Sequence, residues 1–467
     1  MDTNWLPDPV DNSAPLYRAL ADQICAAVAS GTIPPGAKLP PVRDLAWKIR
    51  SSPGAVARAY KLGIDRGALE ATVGRGTFAR GGQGPAFAIE ALTKPHNGVK
   101  IDLRGNRAVD VGQDAEISAA LSRLIARHGG ALPLTDYRRR DDDPAALESL
   151  AAWLREGGER ASADRLIVTS GAQEGAMACL SATARGGQGV ALVEPVIHPG
   201  LKDCAAAIGV RLEAVARDDE GMRPDALDAA CVRYRPDAVL LTATLQNPTV
   251  AVMGPARRAA IVEVARRRDV ALIEDDVYGW LIEPRPESFA TLAPERCWYV
   301  TSFSKCIAAG LRAGLVLTPP GAMLRTLRAH QAMAHHTSWL ITGLAAELAE
   351  SGDAARIRAR IAEEIRARVA LADRRLGRFG AITHPGGSFA CVPMPEAWSS
   401  AEFIAAAVAR GVLVAPRGAY TVGRGAAGPD FVRVAFGASA TRAILDEGLS
   451  RLAELLRDGP HPASVLT

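Results

Sequence analysis

Trp298-Tyr299-Val300-Thr301 runs straight into Ser302-Phe303-Ser304-Lys305, and Arg312 follows seven residues after the lysine. A short β-forming run that ends in two hydroxyls and an amine reads as a buried strand delivering chemistry at its carboxyl end. Lys305 is the only lysine after Lys202. In a chain rich in arginine, that choice points to a nucleophilic amine, which a guanidinium cannot supply.

The same pattern recurs outward from this stretch. Leu166–Thr169 leads to Ser170-Gly171-Ala172-Gln173, and Val190–Val193 leads to the segment from Glu194 to Gly200. Ala238–Thr242 leads to Gln246-Asn247-Pro248-Thr249, and Val270–Ile273 leads to Glu274-Asp275-Asp276-Val277-Tyr278. Leu315–Leu317 follows the lysine. These runs are continuously apolar rather than alternating, as expected for parallel strands covered on both faces. The fold class is therefore α/β, with a mostly parallel sheet and polar clusters at its carboxyl edge, where ligands of such sheets collect. Beyond residue 340 the pattern becomes helical, then α+β, with 388–392, 412–414 and 431–436 as strand candidates.

The first 80 residues differ. Of the net charge of +4, residues 36–80 alone carry +6, from nine basic and three acidic side chains. Leu16, Leu20, Ile24 and Val28 form a helical stripe. Val42, Leu45, Ala46 and Ile49 mark a second helix. Ser52 is an N-cap with Pro53 at the first position of a third helix, with Val56, Tyr60 and Ile64 inward. Two short strands around Gly74-Arg75-Gly76 complete a winged helix-turn-helix. Residues 81–100 have linker composition, with a short helical turn at 87–92. The expected organisation is a DNA-binding domain over 1–80, a linker over 81–100, and a body over 101–467 with a smaller subdomain from about 340.

Composition narrows the classes. Hydrophobic residues make up 48% and charged residues 23%, a globular profile. No apolar run approaches the ~18–20 residues of a membrane span, and residues 1–9 lack a secretory signal. The seven cysteines form no CxxC pair, which fits a reducing cytoplasm and no zinc ribbon. Gly187-x-Gly189 precedes a strand and is no dinucleotide fingerprint. His335-His336 lacks metal-ligand spacing, so no metal is expected. Cys306 reads as a packed thiol.

Residues 101–467 resemble a fold-type I aminotransferase dependent on pyridoxal 5′-phosphate. Residues 14–79 resemble the GntR winged-helix head, through Leu39-Pro40-Pro41-Val42-Arg43-Asp44-Leu45-Ala46, Ala59-Tyr60 and Gly74-Arg75-Gly76-Thr77-Phe78. The two joined in this order resemble the MocR/GabR-like regulators. The cofactor needs an amine for its aldehyde, a carboxylate for its ring nitrogen and donors for its phosphate. The resemblance implies Lys305, Asp275 and Tyr278 in the first two roles and at the ring hydroxyl, shared with Asn247. It implies Ala172, Gln173, Ser302, Ser304 and Arg312 at the phosphate. Arg433, set among apolar neighbours, implies a substrate carboxylate partner. Tyr137 resembles the tyrosine that reaches the partner subunit's phosphate, although the charge run Arg138–Asp143 replaces the usual glycine-containing turn. Two departures stand out. His198 occupies the place of the aromatic ring that stacks on the pyridine, and Val250 replaces a common glycine. Both put efficient transamination in doubt.

In the head, the third helix is expected in the major groove of double-stranded DNA and Arg75 at the wing. Arg43, Lys48, Arg50, Arg58 and Lys61 are the phosphate-contact candidates. Proline at 53 replaces a frequent arginine, which leaves specificity to Arg58, Arg75 and DNA shape. The sequence thus reads as a cytoplasmic, homodimeric transcriptional regulator that binds pyridoxal phosphate and senses an amino-acid-like compound. The alternative is a working aminotransferase with a vestigial or autoregulatory head.

Overall fold

The structure, a computed structural model, describes residues 5–7, 15–29, 32–33, 37–65, 68–72, 76–79, 101–130, 132–135, 137, 139–185, 189–423 and 428–460. The chain forms two compact units, residues 1–86 and 87–467. The expected linker and its helical turn at 87–92 lie outside the described residues.

The first unit contains α1 (Leu16–Ala29), α2 (Val42–Lys48) and α3 (Pro53–Asp65), then β1 (Leu69–Thr72) and β2 (Gly76–Ala79). Leu20 and Ile24 of α1 are fully buried against Val56, Ala59 and Tyr60 of α3 in one small core. Each such aliphatic contributes about 1.5–3 kcal/mol by leaving water. Ser52 caps α3: its Oγ accepts from the Ala55 amide at 3.2 Å. The Tyr60 hydroxyl donates to the Pro40 carbonyl at 2.8 Å and so ties α3 to the segment that leads into α2. The strands β1 and β2 pair antiparallel, from Leu69 opposite Ala79 to Thr72 opposite Gly76. Lys38 bridges Phe78 and widens the hairpin. Gly76 sits at φ +114, and a Cβ there would lie 2.9 Å from the Lys38 side chain.

The second unit is built on a seven-stranded sheet: β3 (Leu166–Thr169), β4 (Val190–Val193), β5 (Arg211–Ala214), β6 (Ala238–Leu241), β7 (Ala271–Asp275), β8 (Cys297–Ser302) and β9 (Gly314–Leu317). Their spatial order is β3-β9-β8-β7-β6-β4-β5. One expectation fails. Residues 315–317 do not join as a parallel strand: β9 runs antiparallel to both β8 and β3. Burial on both faces makes a strand apolar throughout, whichever way it runs, so the pattern that revealed β9 carried no direction. The edge strand β5 was also unanticipated, because its residues are half-exposed and mixed in polarity.

Beneath β8, Trp153 stacks on Trp280 at 3.5 Å and on Phe303 at 4.5 Å between ring centroids. Phe303 thereby anchors the turn that carries Ser302, Ser304 and Lys305. Residues Phe389–Pro393, Phe431–Ala435 and Ala415–Pro416 make a separate antiparallel sheet with Phe431–Ala435 at its centre. Ile101–Asp102 pairs parallel with Val412–Leu413 and ties the start of this unit to its C-terminal part. Among the described residues no helix is long and apolar enough to cross a membrane.

Candidate functional site

The carboxyl ends of β3, β6, β7 and β8 open onto one pocket of about 580 Å³. Eleven residues were expected at the cofactor. Ten of them line this pocket: Ala172, Gln173, His198, Asn247, Asp275, Tyr278, Ser302, Ser304, Lys305 and Arg312. Tyr137 lies elsewhere. It is 82% exposed and meets the His335 ring edge-on at 5.0 Å.

Local backbone explains the placement. Gly171, at φ +103, turns the chain from β3 into the Ala172–Thr183 helix; a Cβ there would lie 2.6 Å from Arg312 Nη2. Arg312 itself adopts φ +52 and donates from Nη2 to the Ser170 carbonyl at 3.0 Å. A helix N-terminus and a guanidinium therefore flank the same corner, a setting for a phosphate.

Deeper in, burial governs the charges. Asp275 is pushed up to about 7, first by burial and then by Asp276, with Lys305 opposing. Its Oδ2 accepts from Thr242 Oγ1 at 3.5 Å, while Oδ1 has no partner among the described residues. Lys305 is pulled down to about 8 by burial, Arg433 and Arg312, against Asp275. His198 falls to about 3, through burial and then Lys305 and Arg433, so its imidazole is neutral at any physiological pH. The neighbour of Asp275, Asp276, faces a different cluster, where Arg285 Nη2 donates to Asp276 and Glu159, both at 2.6 Å.

Arg433 is 1% exposed, yet its Nε has no partner among the described residues. Its Nη2 donates to the Arg104 carbonyl and its Nη1 to Asn247 Oδ1 at 3.3 Å. Phe389 and Tyr420 rings flank the guanidinium at 5.6 and 5.3 Å. Asn247 Nδ2 donates to the Tyr278 hydroxyl at 3.3 Å, and Asn106 Nδ2 donates to the same oxygen at 3.0 Å.

Sequence reading missed Asn106. Its carbonyl accepts from Lys305 Nζ, and its Oδ1 accepts from Ser388 Oγ at 2.7 Å. The signal for it was slight: a polar Arg104-Gly105-Asn106 just after Ile101-Asp102-Leu103. Thr242, Arg104 and Tyr420 were missed as well, because each enters through a contact distant in sequence.

In the first unit Arg43, Lys48, Arg50, Arg58 and Lys61 are all exposed. Arg58 is held in place: its Nε donates to the Gly54 carbonyl at 3.3 Å and its guanidinium lies 5.5 Å from the Tyr17 ring centroid. A Cβ on Gly54 would meet nothing within 4 Å, so the start of α3 presents a bare surface. Trp47, unnoticed in the sequence, is 81% exposed beside Lys48. Arg75 lies outside the described residues.

Comparison with known proteins settles the family. Residues 105–452 match the model for aminotransferases of class I and II. The chain belongs to that family. Residues 16–79 match the gntR family of bacterial regulatory proteins. A Bacillus subtilis HTH-type transcriptional regulator, YdeF, is 26% identical over 97% of this chain and 97% of its own. The vitamin B6 salvage pathway transcriptional repressor PtsJ of Salmonella typhimurium is 30% identical over 63% of this chain and 66% of its own. The crystal structure of LysN, an alpha-aminoadipate aminotransferase from Thermus thermophilus, matches with a TM-score of 0.69 at 23% identity, over 85% of this chain and 97% of that one.

The chain thus joins a GntR-type DNA-binding head to a body of the pyridoxal-phosphate-dependent aminotransferase fold, the layout of a MocR/GabR-like transcriptional regulator. The pocket fits that cofactor. Asp275 Oδ1 and Ser304 Oγ are buried and without partners among the described residues. A ring N–H and a phosphate would satisfy them, and leaving such groups unmet costs about 1–3 kcal/mol each.

Proposed function

We propose that this regulator reads an amino-acid-like compound at the Lys305 pocket and converts its binding into a change of DNA affinity. Pyridoxal 5′-phosphate, when bound, supplies an electrophilic carbonyl and an electron-withdrawing ring. Around it, Lys305 provides the attaching amine, and Asp275 holds a proton at the ring nitrogen. Tyr278 and Asn247 meet the ring hydroxyl, and His198 covers one ring face as a neutral imidazole. Ala172, Gln173, Ser302, Ser304 and Arg312 hold the phosphate. Tyr137, exposed on its own protomer, completes the partner's site in a homodimer. Two heads per dimer then suit a two-part operator, with Arg43, Lys48, Arg50, Arg58 and Lys61 on phosphates and the β1–β2 hairpin as the wing. The protein works in the cytoplasm.

The observation that carries the effector reading is Arg433. A guanidinium almost wholly buried, with one N–H still open, is a waiting partner for a carboxylate. It shares Asn247 with Tyr278, so a carboxylate there lies beside the amine chemistry. The effector works only through a difference in affinity for two arrangements of the protein; a tenfold change in DNA affinity requires about 1.4 kcal/mol of coupling. The deciding experiment pairs two measurements across one panel of amines: affinity for the gene's own upstream DNA, and ketoacid-dependent turnover. We expect DNA affinity to shift with carboxylate-bearing amines and turnover to stay low. Turnover of about 1–10 per second, in the ordinary enzyme range, with DNA affinity flat, overturns this reading in favour of an aminotransferase.

A further inference from the structure

Asn106 reaches three groups of the site at once. Its carbonyl accepts from Lys305 Nζ, its Oδ1 accepts from Ser388 Oγ at 2.7 Å, and its Nδ2 donates to the Tyr278 hydroxyl at 3.0 Å. The backbone on both sides of it is pinned. Leu103 donates to the Leu413 carbonyl and accepts from the Ala435 amide, both at 2.8 Å. The Arg104 carbonyl accepts from Arg433 Nη2, and the Ala108 amide donates to the Ser304 carbonyl at 3.4 Å. A side chain on so short and fixed a span has little freedom to turn away.

The hydrogen bonds at the Tyr278 oxygen then determine where its proton goes. A phenolic oxygen has one proton to donate and lone pairs that accept. Two amides address those lone pairs, Asn106 at 3.0 Å and Asn247 at 3.3 Å. The orientation of Asn247 is fixed, because its Oδ1 accepts from Arg433 Nη1 and a guanidinium can only donate. Its Nδ2 therefore faces Tyr278. Asn106 is oriented by Ser388, whose hydroxyl takes Oδ1 and leaves the amide nitrogen for Tyr278. With both amides donating, neither offers the tyrosine's own proton an acceptor. Tyr278 is 2% exposed and lines the pocket, its ring held edge-on to Phe389 at 5.5 Å. A buried hydroxyl proton without an acceptor is costly, so it is kept for an oxygen of the ligand.

We propose that Asn106 is a positioning residue for Tyr278: with Asn247 it fills the acceptor places of the tyrosine oxygen, so that Tyr278 presents its proton to the ring hydroxyl of pyridoxal phosphate. The inference rests on the reading of Tyr278 as the residue that meets that hydroxyl. An amide suits the post, since it accepts from Ser388 with one end and donates to Tyr278 with the other. A carboxylate could only accept, and would draw the tyrosine's proton away from the ring. Ser388 directly precedes Phe389–Pro393, the strand paired with the one that carries Arg433. One hydrogen-bonded chain thus runs from Arg433 through Asn247, Tyr278 and Asn106 to Ser388.

The test reads the pH midpoint of the absorbance of covalently attached cofactor in the full-length protein. The attaching nitrogen shares its proton with the ring hydroxyl oxygen. A donor on that oxygen steadies its anion, and so lowers the pH at which the nitrogen gives its proton up. Tyr278→Phe should raise the midpoint by about 1–2 units, the worth of one hydrogen bond to a charged group. Asn106→Ala removes an N–H that polarises the Tyr278 hydroxyl, and should raise it by about 0.3–0.5 unit, in keeping with the cooperativity of linked hydrogen bonds. Ser388→Ala, which removes one hydroxyl and leaves the amide in place, should raise it by less, because the amide loses the contact that orients it. Combined with Tyr278→Phe, neither variant should add to the shift. A lower midpoint in Asn106→Ala would mean that Asn106 accepts the tyrosine's proton, and overturns the proposal. A shift that survives in the Tyr278→Phe background overturns it too, as does an unmoved midpoint in both Asn106→Ala and Ser388→Ala. If Tyr278→Phe itself leaves the midpoint unmoved, the placement of the ring hydroxyl falls, and the proposal with it.

Discussion

The Lys305 pocket and the exposed basic surface of the head present their polar groups in opposite ways. Asp275 Oδ1 and Ser304 Oγ in the pocket, and Arg433 Nε beside Asn247, are buried without partners among the described residues. Their desolvation cost is met when the chain folds, so a matching ligand collects the full strength of each contact. In the head, Arg43, Lys48, Arg50 and Lys61 stand in solvent. Such cations are worth little singly, and act together by displacing ions from a polyanion. Single changes in the pocket should therefore act almost all-or-none, whereas those in the head should be graded and salt-dependent.

The largest effect belongs to Lys305→Ala. It should abolish the absorbance of covalently attached cofactor, while the phosphate corner still retains free cofactor. An unchanged spectrum would move the attachment elsewhere. Next comes Arg433→Lys, which removes the planar fork but keeps the charge. Affinity for carboxylate-bearing amines should fall by about 10–100-fold, the worth of a buried charged hydrogen bond, with amines lacking a carboxylate unaffected. If both classes fall equally, Arg433 shapes the pocket rather than reading the ligand.

The pH dependence of Lys305 tests the electrostatics alone. Its amine is held down to about 8 by burial and by Arg433 and Arg312. Only the neutral amine attacks an aldehyde. In cofactor-free protein the rate of pyridoxal attachment should thus rise about tenfold per pH unit below that midpoint and level off above it. A plateau reached only near the ordinary lysine value of about 10.4 would show that the pocket does not exert this field.

The graded region is tested by salt. Each phosphate contact in the head should contribute about 0.9 to the slope of log affinity against log salt. Arg43→Ala, which removes one such cation, should lower that slope by about one unit and weaken binding by about the same factor on any DNA sequence. A weakening confined to one sequence would make Arg43 a base reader.

What the sequence disclosed follows from the same contrast. Asp275, Tyr278, Ser302, Ser304 and Lys305 were legible because each follows directly on an apolar strand, so contiguity in the chain stands for proximity in space. Arg433 was legible because a cation inside a β run is anomalous. Asn106 was not, since its contacts to Lys305, Tyr278 and Ser388 span 199, 172 and 282 residues. The direction of β9 was hidden for another reason: hydrophobicity records which faces are covered, not which way the chain runs. Trp47 went unseen because an exposed tryptophan and a core tryptophan look alike in a helical pattern.

The smallest effect is the most diagnostic of how the loop that carries Asn247 is built. Val250 stands where the resemblance leads one to expect glycine, and it adopts φ +68 while 4% exposed. A β-branched residue in the left-handed region is strained by about 1–3 kcal/mol. Burial of its side chain returns roughly 1.5–3 kcal/mol, with Leu245, Val277 and Tyr278 in the same apolar cluster. Val250→Gly removes both contributions together, so the net change in stability should lie within about 1 kcal/mol, whereas truncating a buried valine in a relaxed strand costs its whole burial energy. Thermal unfolding of the variant beside Val239→Gly, a fully buried position in β6, makes the comparison internal. If the two variants lose equal stability, the strain at Val250 is absent and its side chain is held by packing alone.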